Sequence, residues 1–581
     1  MGREKVPPEL EWQFDALDLR PVERWLSTLG TTLFEAGEER ALTASARPAQ
    51  RIVDSYLDTD DWRMARAGFA VRARRRGRDG EITLTATRTA AGNPRQQLEV
   101  TEKLSGHGVD ALGPEGPVGR RVHAVTGRRP LHPVLQARTR RRCFSLHVGA
   151  EEAAEIVLDD TLLVVGQGQR PMQLPRVEVV LRPQWAGALR PIVAQFQATC
   201  GLQPATLSTF EAGLLALGVV IPGPADLGST DIGPDSTMGE LAYAVLRRQL
   251  AVLRATEPGT RLGEDPEELH DMRVATRRLR AALDLFVDVL PVRARAFRAE
   301  LGWLAGVLGV VRDLDVQLQS HTAMTEPGQP DPWAELTALL LEERATARHE
   351  MLAALDSVRV ERLMRGMASM VQQGPLRRPA AIRLPARIPV PDLIDTRHGA
   401  VVKAARRARR SGEAADFHRL RIRCKRLRYS LEFSAELYGG RTNRFTRQLT
   451  ALQDQLGLLQ DAEVAAARLA DLAAAHVDLP ASTVFMMGGV AEQHRREMTR
   501  LLRQLPKEVS RLDGREWQEL TSAMEQGRAH LLAQVPPAHR VLRALPVPPA
   551  PADAAADEAR PLPSLVPTEP QPVPLERESP A

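Results

Sequence analysis

Cysteine is nearly absent. Cys143, Cys200 and Cys424 are the only three in 581 residues, far apart and odd in number. That excludes a disulfide framework, offers no zinc-ligand spacing, and fits a reducing compartment. Aromatic residues make up only 4% of the chain, too few for a surface that stacks successive nucleic-acid bases. No uninterrupted apolar run approaches the roughly 18 residues that a membrane-crossing helix needs. The opening Met1-Gly2-Arg3-Glu4-Lys5-Val6-Pro7-Pro8 lacks the apolar core of a signal peptide. The expected location is therefore the cytoplasm, with no membrane partner. Lysine is scarce as well, since arginine supplies nearly all of the 78 basic residues. What is plentiful is charge of both signs, 78 basic against 73 acidic residues for a net of +5. So small a surplus means that anion binding must come from how cations are grouped. A chain of this length is expected to hold more than one domain.

The most organised stretch is Glu268-Leu269-His270-Asp271-Met272-Arg273-Val274-Ala275-Thr276-Arg277-Arg278-Leu279-Arg280-Ala281-Ala282-Leu283-Asp284-Leu285-Phe286. As a helix, it puts His270, Arg273, Arg277 and Arg280 within one sector of about 80°. Met272, Ala275, Leu279, Ala282, Leu283 and Phe286 take the opposite side, ready for a core. An Asp265 N-cap, Pro266 and two acids in the first turn mark its start. The design recurs 148 residues on, where His418, Arg421, Lys425 and Arg428 repeat the row with Arg423 and Arg426 beside it. Downstream, Leu301, Leu308, Gly309, Asp313 and Val316 recur as Leu449, Leu456, Gly457, Asp461 and Val464 at the same offset. A constant offset through two helical patterns marks an internal duplication. Two such copies could set two cationic faces around one cleft. Asp313, Asp315, Asp461 and Glu463 are expected to orient the arginines or cap helices.

Before this helical region, residues 9–215 read mostly as strands. Alternation marks 69–76, 81–88, 142–148, 155–162 and 175–181, and a helix is expected over Leu19–Leu33. Side chains two apart in a strand share a face, so Glu9 and Glu11 lie together, as do Arg72, Arg74 and Arg76. A closed sheet lined by such charges would be costly unless it held ions or a ligand. The breaker-rich run from Pro222 to Asp235 is the expected boundary. Helices are then expected from Met238, over about 265–286, over 293–315 and over 333–373. A proline-rich connector at 374–393 leads into the second half. The predicted organisation is 4–218, a linker at 219–236, a helical region at 237–535 in two repeats (237–373 and 394–535), and a disordered Pro/Ala-rich tail at 536–581.

Two resemblances then become specific. Glu9-Leu10-Glu11-Trp12-Gln13-Phe14 and the longer run Asp54-Ser55-Tyr56-Leu57-Asp58-Thr59 through Gly68-Phe69-Ala70-Val71-Arg72-Ala73-Arg74 resemble the CYTH family, the triphosphate tunnel metalloenzymes. The His270 and His418 helices resemble the two hallmark helices of the CHAD family, the conserved-histidine α-helical domain. The fold class implied is multidomain α+β, an antiparallel β tunnel or barrel with helices followed by an all-α domain of two duplicated bundles. For the CHAD part, the resemblance implies inorganic polyphosphate binding through His270, Arg273, Arg277, Arg278, Arg280, His418, Arg421, Arg423, Lys425, Arg426 and Arg428, with no cofactor required. The cytoplasmic location expected above leaves room for association with polyphosphate granules, which the sequence itself does not reveal.

For the CYTH part, the resemblance implies a site for tripolyphosphate or a nucleoside triphosphate at Arg72, Arg74, Arg138 and Arg142. Mg²⁺ or Mn²⁺ would be held by Glu9, Glu11 and Glu178, with Glu99, Glu102 and Asp159 as further acidic candidates. The alternative function it implies is a metal-dependent triphosphatase whose CHAD domain holds the substrate. Several positions depart from the CYTH pattern. Gln13 replaces a lysine, Thr85-Ala86-Thr87 lacks the usual lysine, Val180 replaces a carboxylate, and Ser208-Thr209-Phe210 stands where a Ser-Lys pair is common. Each loss removes a phosphate cation or a metal ligand, so a catalytically weakened tunnel is expected. Nucleic acid is the weaker partner, because polyphosphate offers charge without bases and calls for arginine forks rather than stacking.

Overall fold

The computed structural model describes residues 10–534 apart from 30–31, 36–37, 77–78, 88–98, 105–111, 114–115, 165–170, 217, 222–225, 323–332, 377–379, 477–478 and 510. Glu9 and the expected disordered tail lie outside the described residues. The chain forms two compact units. Met1–Asp226, Leu253–Met272 and Leu352–Val358 contribute to one, and Leu227–Val252, Arg273–Met351 and Arg359–Ala581 to the other, counting the described residues of each.

The first unit is built on an antiparallel sheet. Its elements are β1 (Glu11–Asp15), α1 (Arg20–Ser27), β2 (Thr32–Glu35), β3 (Glu38–Ala46), β4 (Gln50–Asp58), α2 (Arg63–Arg66), β5 (Phe69–Arg76), β6 (Asp79–Ala86), β7 (Glu99–Lys103), α3 (Pro117–Thr126), β8 (His132–Val148), β9 (Glu151–Val164), β10 (Met172–Leu181), α4 (Ala186–Cys200), β11 (Gln203–Pro204) and α5 (Thr209–Ala216). The strand order is β11-β1-β10-β9-β8-β4-β5-β6-β7, with β3 on β8 and β2 on β3. β3 and β4 lie along one edge of β8 as a single interrupted strand, Leu42–Ala46 facing Val148–Phe144 and Gln50–Asp58 facing Arg141–His132. No pairing among the described residues joins β7 back to β1 or β11. The helix expected over Leu19–Leu33 ends at Ser27, and β2 follows at Thr32. Gly30 and the β-branched pair Thr31-Thr32 are poor helix formers, which accounts for the shortfall.

Strand parity divides the sheet into two unlike faces. One is apolar: Phe14, Leu146, Ile156, Leu158, Val177, Val179 and Leu181 pack under Val22 and Leu26 of α1 and Leu189 and Phe196 of α4. Farther along, Leu57, Val71, Ile82 and Leu84 pack under Met64 of α2 and Val118, Val122 and Val125 of α3. At about 1.5–3 kcal/mol per buried aliphatic side chain, this face holds the sheet to its helices. The other face carries the charge. A buried turn connects β4 to α2. The Asp58 carboxylate accepts from the backbone N–H groups of Thr59, Met64 and Ala65. Burial nonetheless pushes that carboxyl above its ordinary range. Trp62, at φ 57°, takes the left-handed conformation that this turn demands. The most diagnostic stretch of the sequence therefore includes a structural hinge of the sheet.

The helical region consists of α6 (Met238–Leu262), α7 (Pro266–Leu285), α8 (Ala294–Thr322), α9 (Ala334–Leu355), α10 (Val358–Gln373), α11 (Val390–Ser411), α12 (Ala414–Ser434), α13 (Asn443–Ala475), α14 (Ala481–Val509) and α15 (Arg515–Gln534). The single helix expected over 333–373 is two, interrupted at Asp356-Ser357, where the Ser357 hydroxyl donates back to the Ala354 carbonyl. The 148-residue offset holds in the packing. Leu301, Leu304, Leu308, Val311 and Leu314 are buried on α8, and their counterparts Leu449, Leu452, Leu456, Leu459 and Ala462 are buried on α13. Met272, Leu279 and Leu283 of α7 and Leu420, Leu427 and Leu431 of α12 match in the same way. All six residues assigned to the inner face of α7 are buried. No helix among the described residues is long and apolar enough to cross a membrane.

Candidate functional site

In the helical unit, α7 and α12 bring the two cationic rows together. The Arg277 Nε–H donates to the Tyr429 hydroxyl oxygen at 2.9 Å. Arg278 pairs with Glu432 at 2.7 Å and lies 5.5 Å from the Tyr429 ring centroid. Arg428 approaches the same Glu432 at 3.6 Å. Arg278 of α7 thus clasps the first repeat to Glu432 of the second, a carboxylate that Arg428 also approaches from one turn away on α12. Phe286 and Phe433, 6.5 Å apart, extend that seam. Arg277, Arg280, Lys425 and Arg426 line one pocket with Asp284, Ala281, Ile422 and Tyr429.

Two further cations complete that pocket, Arg298 of α8 and Arg397 of α11. Neither belongs to a duplicated motif, and sequence reasoning missed both. Arg298 pairs with Asp284 at 2.5 Å. Arg397 donates to the Arg426 carbonyl at 3.2 Å. Burial, and then the neighbouring charge of Arg426, pulls Arg397 down to about 10. Loss of hydration is the larger cause of that depression, and the like charge of Arg426 adds to it.

Arg273 donates to Asp313 at 2.9 Å. In the second repeat, desolvation of the carboxyl pushes Asp461 above its ordinary range; Arg421 and Lys425 oppose the shift and Asp313 adds to it. The paired acids of the two repeats therefore lie within electrostatic reach of each other and of the arginines. Asp315 is buried and paired with Arg344 at 2.5 Å, a structural role. His418 is held through Nδ1 by Gln460, whose amide donates to Glu463. The His418 Nε2 is buried without a hydrogen-bond partner. His270 precedes Arg273 by one turn of α7 and falls in the segment grouped with the first unit. Arg423 lies near Arg397 and adds to its depression.

On the charged face of the sheet, register sets the neighbours. Glu11 lies opposite Val180 and Gln13 opposite Glu178. Arg74 lies opposite Asp54, and Arg141 opposite Asp159. Arg72 and Arg74 occupy this face with Glu11 and Glu178, as the two-residue period predicts. Arg138 and Arg142 do not join them. On β8 the charged face belongs to Thr139, Arg141 and Cys143, so even-numbered residues point the other way. Arg138 is exposed and bonded to Gln136, while Arg142 pairs with Glu23 at 2.6 Å. Arg141 and Arg176 take the expected places. Glu99 shares the charged face, but Glu102 is on the reverse, where it accepts from the Val118 N–H at the start of α3.

Most cations of this face are already matched. Arg74 binds Asp54 through two bonds of 2.7 and 2.8 Å. Arg141 binds Asp159 at 2.8 and 2.6 Å, and Arg176 binds Asp15 at 2.8 Å. Burial works against the charge of Arg141, but the Asp159 bonds outweigh it and raise the group above its ordinary value. Arg72 has no ion-pair partner among the described residues, and its Nε is buried without a hydrogen bond. One end of the face is apolar: Phe210 of α5 stacks on Tyr56 at 5.1 Å, beside Leu135, Ala137, Leu163 and Leu214. Mg²⁺ or Mn²⁺ fits this arrangement poorly. Asp15, Asp54 and Asp159 are engaged by arginines, and Glu11 accepts from Gln13. No group of three or more His, Cys, Asp or Glu among the described residues could hold a metal ion.

A charged antiparallel sheet followed by a duplicated helical unit with convergent cationic rows defines a two-domain α+β protein. Residues 31–179 match the CYTH domain and residues 244–470 the CHAD domain, so the chain carries a CYTH domain followed by a CHAD domain. Among solved structures, it is similar to the CHAD domain from the plant Ricinus communis, with 29% identity over 50% of this chain and 96% of that one, at a TM-score of 0.42. PptA from Streptomyces chartreusis is 20% identical over 47% of this chain and 99% of its own, at a TM-score of 0.39. The Hippeastrum protein HpAC1, described by its dominant triphosphatase activity, is 13% identical over 36% of this chain and 97% of its own, at a TM-score of 0.23. No curated protein sequence matches the chain.

Proposed function

We propose that this protein binds inorganic polyphosphate through the helical unit. The observation that carries the reading is the convergence of Arg277, Arg280, Lys425 and Arg426 from both repeats on one pocket, joined by Arg298 and Arg397. Such a set suits a ligand with a negative charge at every repeat and nothing else to recognise. Arginine forks match phosphate oxygens bidentately, and the chain offers little aromatic surface for bases. Direct titration with long-chain polyphosphate, with single-stranded RNA as competitor, tests it across salt. The expected result is polyphosphate binding that weakens steeply with salt and that RNA of equal phosphate content displaces poorly. Equal or tighter RNA binding would refute it.

The second reading, a triphosphatase in the sheet unit, draws support from Arg72, a cation of the charged face with no ion pair among the described residues. We assign that face weak triphosphate binding rather than hydrolysis, because Arg74, Arg141 and Arg176 are held by aspartates and no metal-holding group of acids is found among the described residues. Phosphate release from tripolyphosphate with Mg²⁺ or Mn²⁺, well above a control without enzyme, would reverse that assignment.

A further inference from the structure

The pocket between α7 and α12 has properties that a groove for the middle of a polymer does not need. It is narrow, about 40 Å³. A single water requires roughly 10–15 Å³ on this measure, so the space suits one phosphoryl group and not two. Six cations surround it, Arg277, Arg280, Arg298, Arg397, Lys425 and Arg426, against one carboxylate, Asp284, which Arg298 already engages. Arg397 is fixed in place through the Arg426 carbonyl. The Tyr429 oxygen accepts from Arg277, which leaves its own proton to donate into the pocket.

An internal phosphate of a linear chain carries one negative charge and has chain on both sides. A terminal phosphate carries close to two at neutral pH and has chain on one side only. A small recess with a large cationic excess matches the second. Resting on the polyphosphate reading above, we propose that this pocket seats the terminal phosphate of a polyphosphate chain, with the rest of the polymer running out along the cationic rows. The protein would then count chain ends as well as phosphate mass. At equal total phosphate, short chains would compete better than long ones.

Equivalent positions of the two repeats meet at this recess, Arg277 with Lys425 and Ala281 with Tyr429. Tyr429 occupies the position equivalent to Ala281, 148 residues earlier. Where the second repeat has a ring, the first has a methyl group, and Ala281 lines the pocket.

The test compares one length of linear polyphosphate with free ends against the same length with both terminal phosphates capped as neutral-alkyl phosphoramidates. Wild type, Arg397→Gln and Ala281→Tyr proteins are titrated with each. Ala281→Tyr keeps every cation and fills the recess, so it separates occupancy of the pocket from loss of charge. Circular dichroism checks folding of each variant. The expected result is at least tenfold weaker binding of capped chains to wild type, with that ratio falling toward one in Ala281→Tyr and Arg397→Gln. Linear tripolyphosphate should also displace a labelled chain at lower concentration than cyclic trimetaphosphate, which has no end. Equal affinity of capped and free chains for wild type would overturn the end seat while leaving polyphosphate binding standing. A capped-to-free ratio as large in Ala281→Tyr as in wild type would overturn its placement in this pocket. Failure of wild type to bind either chain would overturn the polyphosphate reading and the end seat with it.

Discussion

Replacing Arg273, Arg277, Arg421 and Lys425 together with glutamine removes two cations from each repeat while keeping a polar, unbranched side chain. The cost to the fold from the two first-repeat cations should be small. Arg273 is a third exposed and its partner Asp313 half exposed (33% and 50%), so that pair contributes about 0–1 kcal/mol. Losing the Arg277–Tyr429 bond costs roughly 0.5–1.5 kcal/mol. The cost to binding should be much larger. A charge-assisted phosphate contact discounted for partial exposure is worth about 1 kcal/mol. Four amount to about 4 kcal/mol, on the order of a thousandfold in affinity. Salt supplies a second reading of the same change. Each phosphate contact on a single-stranded polyanion adds about 0.7 to the slope of log K against log salt, so the variant should lose nearly three units of slope. Fluorescence anisotropy with labelled polyphosphate at five salt concentrations measures both quantities, and thermal melts confirm folding. A folded variant with unchanged affinity and slope would falsify the assignment of these residues.

Glu432→Gln should destabilise the helical unit by about 1–3 kcal/mol in urea unfolding, because it strips the shared carboxylate from Arg278 and Arg428; no change would show that the clasp is idle. Asp54→Asn should cost the sheet unit about 3–5 kcal/mol by leaving Arg74 buried and unpaired, whereas Asp54→Leu with Arg74→Met should recover most of it. His398 stacks on Trp517 at 3.6 Å, meets the Leu512 carbonyl at 3.0 Å, and faces Asp513 and Asp395. Burial lowers its pKa below 6.5, so the folded state takes up its proton later than the unfolded state. Stability should therefore fall as pH drops below about 6.5 and level off beneath the folded value. His398→Phe should flatten that part of the pH–stability curve, and an unaltered slope would assign it to other groups. Arg72→Gln should weaken tripolyphosphate binding by the isolated sheet face tenfold or so without moving the melting temperature, as expected for a cation without an ion pair among the described residues.

The helical unit was the more legible part of the sequence, for a physical reason. Two copies of one pattern report the same geometry twice, so the apolar stripe from Met272 to Phe286 and the cationic row opposite it could each be checked at a fixed offset. Arg298 and Arg397 escaped because they come from helices with no motif and reach the pocket only through tertiary packing. The sheet was legible in its strands but not in the facing of β8. That strand is 17 residues long with arginines at 138, 140, 141 and 142, on both parities. Without the register against β4 and β9, either set could face the charged side. Side chains of equal charge at adjacent positions leave parity undetermined, whereas alternating Val71, Ala73 and Arg72, Arg74 fix it at once. The helix that stopped at Ser27 shows a different limit, since a periodic apolar pattern locates a helix better than it locates its end.

The two units treat their cations in opposite ways, and this division argues for where the ligand binds. On the sheet, Arg74, Arg141 and Arg176 each meet an aspartate of the neighbouring strand at 2.8 Å or less. Displacing those carboxylates with phosphate would return little beyond what the fold already has. In the helical unit the acids are fewer at the pocket and more widely shared. Glu432 serves two arginines, and Asp284 is taken by Arg298. The pocket lining sets Arg277, Arg280, Arg298, Arg397, Lys425 and Arg426 against the single carboxylate of Asp284, so a polyanion is the ligand whose charge complements it.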